Sequence, residues 1–102
     1  DRKKEMIKYR GYQIAPAELE AILMEHPAVQ DCAVVGIPHQ ESGEIPKAFV
    51  VLREDGAIDA EELVSFVAGQ VAPYKKIREV SFIAEIPKSF SGKILRRVLK
   101  GW

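Results

Sequence analysis

The first apolar positions of the chain predict a short β-hairpin over residues 5–15. Apolar residues flank Arg10-Gly11 on both sides, and glycine has the conformational freedom that a tight turn needs. A helix is predicted to follow, because Pro16 suits a first helical position and Leu19, Ile22 and Leu23 recur at helical spacing. His26-Pro27 would end it. The solvent side of this helix would carry Glu18, Glu20 and Glu25.

The middle of the chain predicts two Val-rich strands that pair with each other, at residues 30–37 and 47–53, across a loop at 38–46. After a turn at residues 54–56, Asp59 and Glu62 have the spacing of a capping box, which places a helix start before Leu63. Residues 79–83 read as a third strand, and a last helix would carry Ile94, Leu95, Val98 and Leu99. The sum is an α+β fold: a small, mainly antiparallel or mixed sheet flanked by about three helices, with an N-terminal β-hairpin.

Composition narrows the classes of function. A length of 102 residues with 47% hydrophobic residues suits one domain over residues 1–102. Fifteen basic and fifteen acidic side chains cancel, so the overall positive charge on which non-specific nucleic-acid binders depend is missing. No apolar run approaches the length of about 20 residues that spans a bilayer. The single Cys32 excludes an intrachain disulfide and favours a reducing, cytoplasmic setting.

Two lysines are candidates for chemistry, and each lies near a turn that contains glycine. Lys93 ends the loop Pro87-Lys88-Ser89-Phe90-Ser91-Gly92 just before the last helix. Its Ser91-Gly92-Lys93 triplet is not a P-loop, because Pro87 and Ile94 stand where that motif needs Gly and Ser or Thr. Lys8 lies beside the Arg10-Gly11 turn. Taken singly, Lys93 suits a solvated loop and Lys8 an edge strand that it protects from pairing.

The two segments together closely resemble the C-terminal domain of the adenylate-forming enzymes, the superfamily of acyl-CoA synthetases, 4-coumarate:CoA ligases, firefly luciferase and peptide-synthetase adenylation domains. One signature covers Ile7 to Glu20 and the other Pro87 to Arg97. The first is most similar to the 4-coumarate ligase and luciferase branch. The resemblance therefore spans nearly the whole chain and implies the mobile C-terminal lid of an ATP-dependent acyl-CoA ligase.

The resemblance also implies roles for individual residues. Lys93 matches the lysine that enters the active site during adenylation, presented by Ser91 and Gly92. Lys8 matches the lysine of the second half-reaction, and Gln13 matches a glutamine that makes polar contacts around the adenylate. Tyr9, Arg10 and Gly11 match backbone that lines the coenzyme A tunnel, and Lys4 matches the hinge.

Cofactors and partners follow in the same way. The resemblance implies ATP and AMP, Mg²⁺ with its ligands in a large N-terminal domain that this chain lacks, coenzyme A and a small carboxylic acid. The chain reads as a fragment and is expected to be inactive, or nearly so, by itself. His26 and His39 lack cysteine or paired carboxylates at ligand spacing, so no metal site is expected in these residues. Arg96, Arg97 and Lys100 would form a solvated basic face on the last helix.

Two alternatives stay open. The parent could be a luciferase-type or peptide-synthetase enzyme, in which the adenylate meets oxygen or a carrier protein instead of coenzyme A. The chain could instead be a stand-alone module that binds anions through Lys8 and Lys93.

Overall fold

A computed structural model describes residues 6–54 and 56–102 of the chain. It contains a five-stranded sheet in which β2, β1, β4 and β3 are successive neighbours and β5 also pairs with β4. All pairings are antiparallel except that of β4 with β5, which is parallel. The predicted α+β fold with a mixed sheet and an N-terminal hairpin is confirmed. The elements are β1 (Ile7–Tyr9), β2 (Tyr12–Ile14), α1 (Pro16–Met24), β3 (Val29–His39), β4 (Gly43–Leu52), α2 (Ala60–Ala68), a 3-10 turn (Pro73–Lys75), β5 (Glu79–Phe82) and α3 (Arg96–Lys100).

The β3–β4 hairpin is the central element of the fold, because both of its faces are buried. Alternate residues point to opposite faces of a sheet, and here even-numbered and odd-numbered residues enter two different cores. One core joins Cys32, Val34, Ala48 and Val50 to the apolar sides of β1, β2, α1 and α2. The other joins Ala33, Val35, Phe49 and Val51 to Ile86 and Leu99 near the C-terminus. The C-terminal segment and the first two helices therefore lie on opposite faces.

The β3–β4 hairpin is longer than the sequence predicted, and the loop at residues 38–46 shrinks to a turn at 40–42. Pro38 pairs with Glu44 and Pro46 pairs with Gly36 inside the ladder. Backbone groups of alternate residues in a strand point the same way, and the N–H of Val34 points away from β4 to a side chain. Pro38 has that same orientation, so its missing N–H removes no bond between the strands.

Helix ends also differ in part from the prediction. Pro16 is the first residue of α1, as predicted, but the helix ends at Met24. Asp59 caps α2 by accepting a hydrogen bond from the Glu62 N–H at 2.9 Å. The last helix is shorter than predicted, because Ile94 pairs with Lys88 in an isolated β-bridge and Leu95 is the N-cap.

Candidate functional site

Lys8 lies on the first hairpin, directly opposite Gln13 across the β1–β2 pair. Both side chains are exposed. Arg10 and Gly11 form the turn, with φ values of 48° and 88°, and two successive positive φ angles characterise the tight two-residue hairpin turn that fits the twist of the strands. Lys8 and Gln13 are thus presented side by side, two residues from a sharp turn.

The β3–β4 turn holds this hairpin in place. The Lys8 N–H donates to Glu44 Oε1 at 2.9 Å, and the Arg10 N–H donates to the Ser42 carbonyl at 2.8 Å. Gly43, with φ of 85°, brings the backbones together: a Cβ atom there would lie 3.2 Å from the Lys8 carbonyl oxygen. The Lys8 backbone is therefore fixed although its side chain reaches into solvent.

Aromatic rings and cations surround the same hairpin. Tyr12 stacks on Tyr74 with ring centroids 4.1 Å apart, and the Arg78 guanidinium lies over the Tyr9 ring at 4.8 Å. Lys75 donates to both carboxylate oxygens of Glu18 at 3.0 Å, a hydrogen bond that raises the pKa of Lys75. Arg78 therefore lies against Tyr9 and the Tyr74 ring against Tyr12 on this hairpin.

Lys93 ends a second tight turn. The Ser89 N–H donates to the Lys93 carbonyl at 2.9 Å, and the Gly92 N–H donates to the Ser89 carbonyl at 2.9 Å, with Gly92 at φ of 84°. The Ser89 hydroxyl lies 3.0 Å from that of Ser91 and accepts from the Lys93 N–H at 3.3 Å. The side chains of Phe90 and Lys93 are both exposed. Small residues here allow the turn to close on itself.

The segment before the Lys93 turn, which we call the entry leg, binds β3, and the segment after it, the exit leg, binds α1. On the entry leg, Lys88 Nζ lies 2.7 Å from Asp31 Oδ2. On the exit leg, Arg96 Nη2 lies 2.7 Å from Glu20 Oε2. Arg96 and Glu20 were predicted to lie on solvated faces, and that prediction is wrong: their side chains are only 17% and 15% exposed. They are 76 positions apart, so no local pattern could have paired them.

The two lysine turns lie toward opposite ends of the β3–β4 hairpin. β1 pairs with β4 at Gly43, next to the β3–β4 turn, whereas Asp31, which binds Lys88, is opposite Val51. The stretch of β4 from Gly43 to Val51 is about 26 Å long at roughly 3.3 Å per residue. Arg96 binds the carbonyl of Val34, which is opposite Ala48 and about 16 Å from Gly43. The anchors of the two lysine turns therefore lie about 16 to 26 Å apart along β4, and each turn faces solvent.

Other candidates contribute little to a site. Burial, with Glu20 and Asp31 nearby, raises the pKa of the Cys32 thiol to about 12, so it stays a protonated core residue. Residues 6–54 and 56–102 contain no group of three or more His, Cys, Asp or Glu side chains arranged to hold a metal ion. None of their helices has the length and apolar character that crossing a bilayer would require. Lys4, the predicted hinge, lies outside the described residues.

Comparison with known proteins identifies relatives over almost all of the chain. The family model described as "AMP-binding enzyme C-terminal domain" matches residues 18–93. The chain is 56% identical to 4-coumarate--CoA ligase-like 6 of Arabidopsis thaliana over 98% of its own length. It is 54% identical to the Peroxisomal OPC-8:0-CoA ligase 1 of the same plant over 97%. It covers 18% of each of these relatives.

Solved structures agree with this match. A fatty acyl CoA synthetase of Mycobacterium tuberculosis superposes with a TM-score of 0.91 at 36% identity, over 99% of this chain and 20% of that one. An o-succinylbenzoate CoA synthetase of Bacillus subtilis, in complex with its acyl-adenylate intermediate, gives a TM-score of 0.91 at 34% identity, over 98% of this chain and 20% of that one. The chain thus corresponds to about a fifth of each larger protein.

Proposed function

We propose a function from one premise: this chain belongs to the family of AMP-binding enzyme C-terminal domains. In our proposal it is the mobile C-terminal domain, spanning residues 1–102, of an ATP-dependent acyl-CoA ligase whose large N-terminal domain builds the substrate pockets. That enzyme would join a small carboxylic acid to ATP, releasing pyrophosphate, and then transfer the acyl group from AMP to coenzyme A.

The observation that carries the proposal is the placement of Lys8 and Lys93 on two tight, solvent-facing turns whose anchors lie about 16 to 26 Å apart along one hairpin. In our proposal, lysines on turns anchored this far apart do not enter one pocket together. They can act in turn if the whole domain rotates between two positions, as hinged lids do. Lys4 would be the hinge residue.

Lys93 suits the first step because a carboxylate attacking a phosphate brings two anions together. One fixed ammonium at about 4 Å, with an effective dielectric constant near 20, contributes of order 4 kcal/mol before the cost of desolvation. Lysine carries its charge on a long stem, so it can bridge oxygens of the carboxylate and the α-phosphate. The Ser91-Gly92 turn would present it to the pocket.

The Lys8 face suits the second step. Lys8 and Gln13 are cross-strand neighbours, so both would reach the acyl-adenylate together. Tyr9, Arg10 and Gly11 would line the entry path of coenzyme A, because Gly11 exposes backbone at the tip of the turn and no Cβ blocks the approach. Mg²⁺ would accompany ATP, and its ligands would lie in the large domain.

We further propose that this enzyme works in the cytoplasm, since a buried free thiol suits a reducing compartment. One relative, the OPC-8:0-CoA ligase 1 of Arabidopsis thaliana, is named as a peroxisomal protein. Fractionation of cells that express the full-length protein distinguishes the two compartments, and recovery with peroxisomes would overturn this part of the proposal.

The adenylation role is tested with Lys93→Ala in the full-length enzyme. We expect the rate of ATP–pyrophosphate exchange to fall about 100-fold or more, because the positive charge that stabilises the transition state is lost. Lys100→Ala is the matched control, since it removes an exposed lysine from the neighbouring helix. Exchange that survives Lys93→Ala unchanged would refute the role.

The alternatives make different predictions. A luciferase-type or peptide-synthetase parent would adenylate its acid but form no coenzyme A thioester, which product analysis reveals. A stand-alone anion-binding module would bind ATP or coenzyme A tightly as the 102-residue chain alone. Under our proposal that chain binds both weakly and shows no adenylation, because half of the site belongs to another domain.

A further inference from the structure

The outer edge of β3 is covered by a closed ring of three groups. Glu20 Oε2 accepts a hydrogen bond from the Val34 N–H at 2.8 Å and from Arg96 Nη2 at 2.7 Å. Arg96 Nε donates to the Val34 carbonyl at 3.2 Å. One carboxylate and one guanidinium thus satisfy both backbone groups of a residue that is fully buried. Those groups face away from β4, so they would otherwise lack partners.

This ring links three parts of the chain that are far apart in sequence: α1, β3 and the start of α3. Arg96 is the first residue of α3 and follows Lys93 by only three positions. The short segment between them is itself fixed, because Ile94 pairs with Lys88 and the Leu95 N–H donates to the Pro87 carbonyl at 3.0 Å. A displacement of Arg96 would therefore move the Lys93 turn.

The Lys88–Asp31 pair on the entry leg is a weaker tether than the ring. Its side chains are 39% and 32% exposed, against 17% and 15% for Arg96 and Glu20. Exposed ion pairs are screened by water and contribute little. Removing one partner of a buried pair leaves the other charge unsatisfied, which is far more damaging.

We propose that Arg96, held by Glu20 and the Val34 backbone, is a positioning residue that sets the reach of Lys93 into the adenylation pocket. The inference rests on the proposed function of Lys93 and adds a residue to it. Arg96 would touch neither the carboxylic acid nor the nucleotide. Its loss would let the exit leg of the turn shift, and a displacement of about 1 Å of a catalytic group can cost up to 100-fold in rate.

The test compares four variants of the full-length enzyme: Arg96→Ala, Arg96→Lys, Arg97→Ala and Lys93→Ala. Each is assayed for ATP–pyrophosphate exchange and, separately, for thioester formation from supplied acyl-adenylate. Arg97 is the matched control, because it is the next residue of the same helix, has the same charge and is exposed. Thermal unfolding of each variant checks that it folds.

We expect Arg96→Ala to slow exchange about tenfold or more, with thioester formation changed less than about twofold. Arg96→Lys should recover part of the exchange rate, since it keeps the charge but not the fork of two donors. Arg97→Ala should match the unmodified enzyme in both steps. If Arg96→Ala fails to fold, Arg96→Lys provides the test: its exchange rate should fall more than its rate of thioester formation.

Equal losses in both steps would reduce Arg96 to a stabilising residue and overturn the inference, as would behaviour identical to that of Arg97→Ala. The Lys93→Ala variant separates this failure from that of the proposed function. If Lys93→Ala abolishes exchange while Arg96→Ala does not slow it, only the positioning role falls. If Lys93→Ala leaves exchange intact, the role of Lys93 itself is wrong.

Discussion

At the scale of single residues, position in the fold decides which polar groups face solvent. Glu18 and Glu20 lie two residues apart on α1, yet Glu18 is exposed and binds Lys75, while Glu20 turns to the edge of β3 and binds Arg96. Cys32, which donates to the Glu20 carbonyl at 3.4 Å, lies beside the same carboxylate. Negative charges next to a buried thiol oppose its ionisation.

Cys32 should therefore make stability depend on pH in alkaline solution. Its pKa rises from a usual 9.0 to about 12 in the folded chain. The folded state keeps the proton that the unfolded thiol loses, so this contribution is complete below pH 9 and is lost as the pH rises toward 12. The expected slope approaches about 1.4 kcal/mol per pH unit.

Urea unfolding of the chain and of Cys32→Ala, at several values between pH 8 and 10.5, measures this effect. The variant is the control for all other titrating groups, Lys75 included. The free energy of unfolding of Cys32→Ala should fall less steeply with rising pH than that of the unmodified chain. Parallel curves for the two proteins would show that the thiol ionises equally in both states.

At the scale of elements, the contact between the first hairpin and the β3–β4 turn depends on Gly43. An alanine at Gly43 meets two costs: a positive φ of 85° and a Cβ atom 3.2 Å from the Lys8 carbonyl. An alanine at Gly11 meets only the first cost, since nothing lies within 4 Å of its Cβ. Left-handed backbone costs an L-residue roughly 1–2 kcal/mol.

We expect Gly11→Ala to lower the free energy of unfolding by about 1 kcal/mol and Gly43→Ala to lower it further, since β1 must also move. Gly101→Ala is the control, because its φ of −87° suits any residue. Thermal or urea unfolding gives the three values. A Gly43→Ala variant no less stable than Gly11→Ala would mean that the two turns are not in close contact.

Some elements could be predicted from the sequence more completely than others. The first hairpin, the Pro16 helix start and the Asp59 cap are local features, and the structure has them where the pattern placed them. The long β3–β4 ladder was underestimated, because Pro38 and Pro46 read as loop residues until the strand partner fixes which way their backbone points. The Glu20–Arg96 pair joins distant segments and has no local signature.

At the scale of the whole molecule, one rigid hairpin carries two lysine turns toward opposite ends. Both of its faces are packed, by α1 and α2 on one side and by the segment from Ile83 to Leu99 on the other. Such a body moves as a unit more readily than it bends. In our proposal, this domain offers Lys93 to a neighbouring pocket in one position and Lys8 in another.

The measurement that tests this claim most directly is a comparison of Lys93→Ala and Lys8→Ala in the full-length enzyme, with each half-reaction assayed alone. We expect Lys93→Ala to lose adenylation, by about 100-fold or more, yet to convert supplied acyl-adenylate and coenzyme A to thioester at nearly the unmodified rate. Lys8→Ala should show the reverse preference. If either variant loses both half-reactions to the same extent, the two lysines do not act in turn and the alternating domain is contradicted.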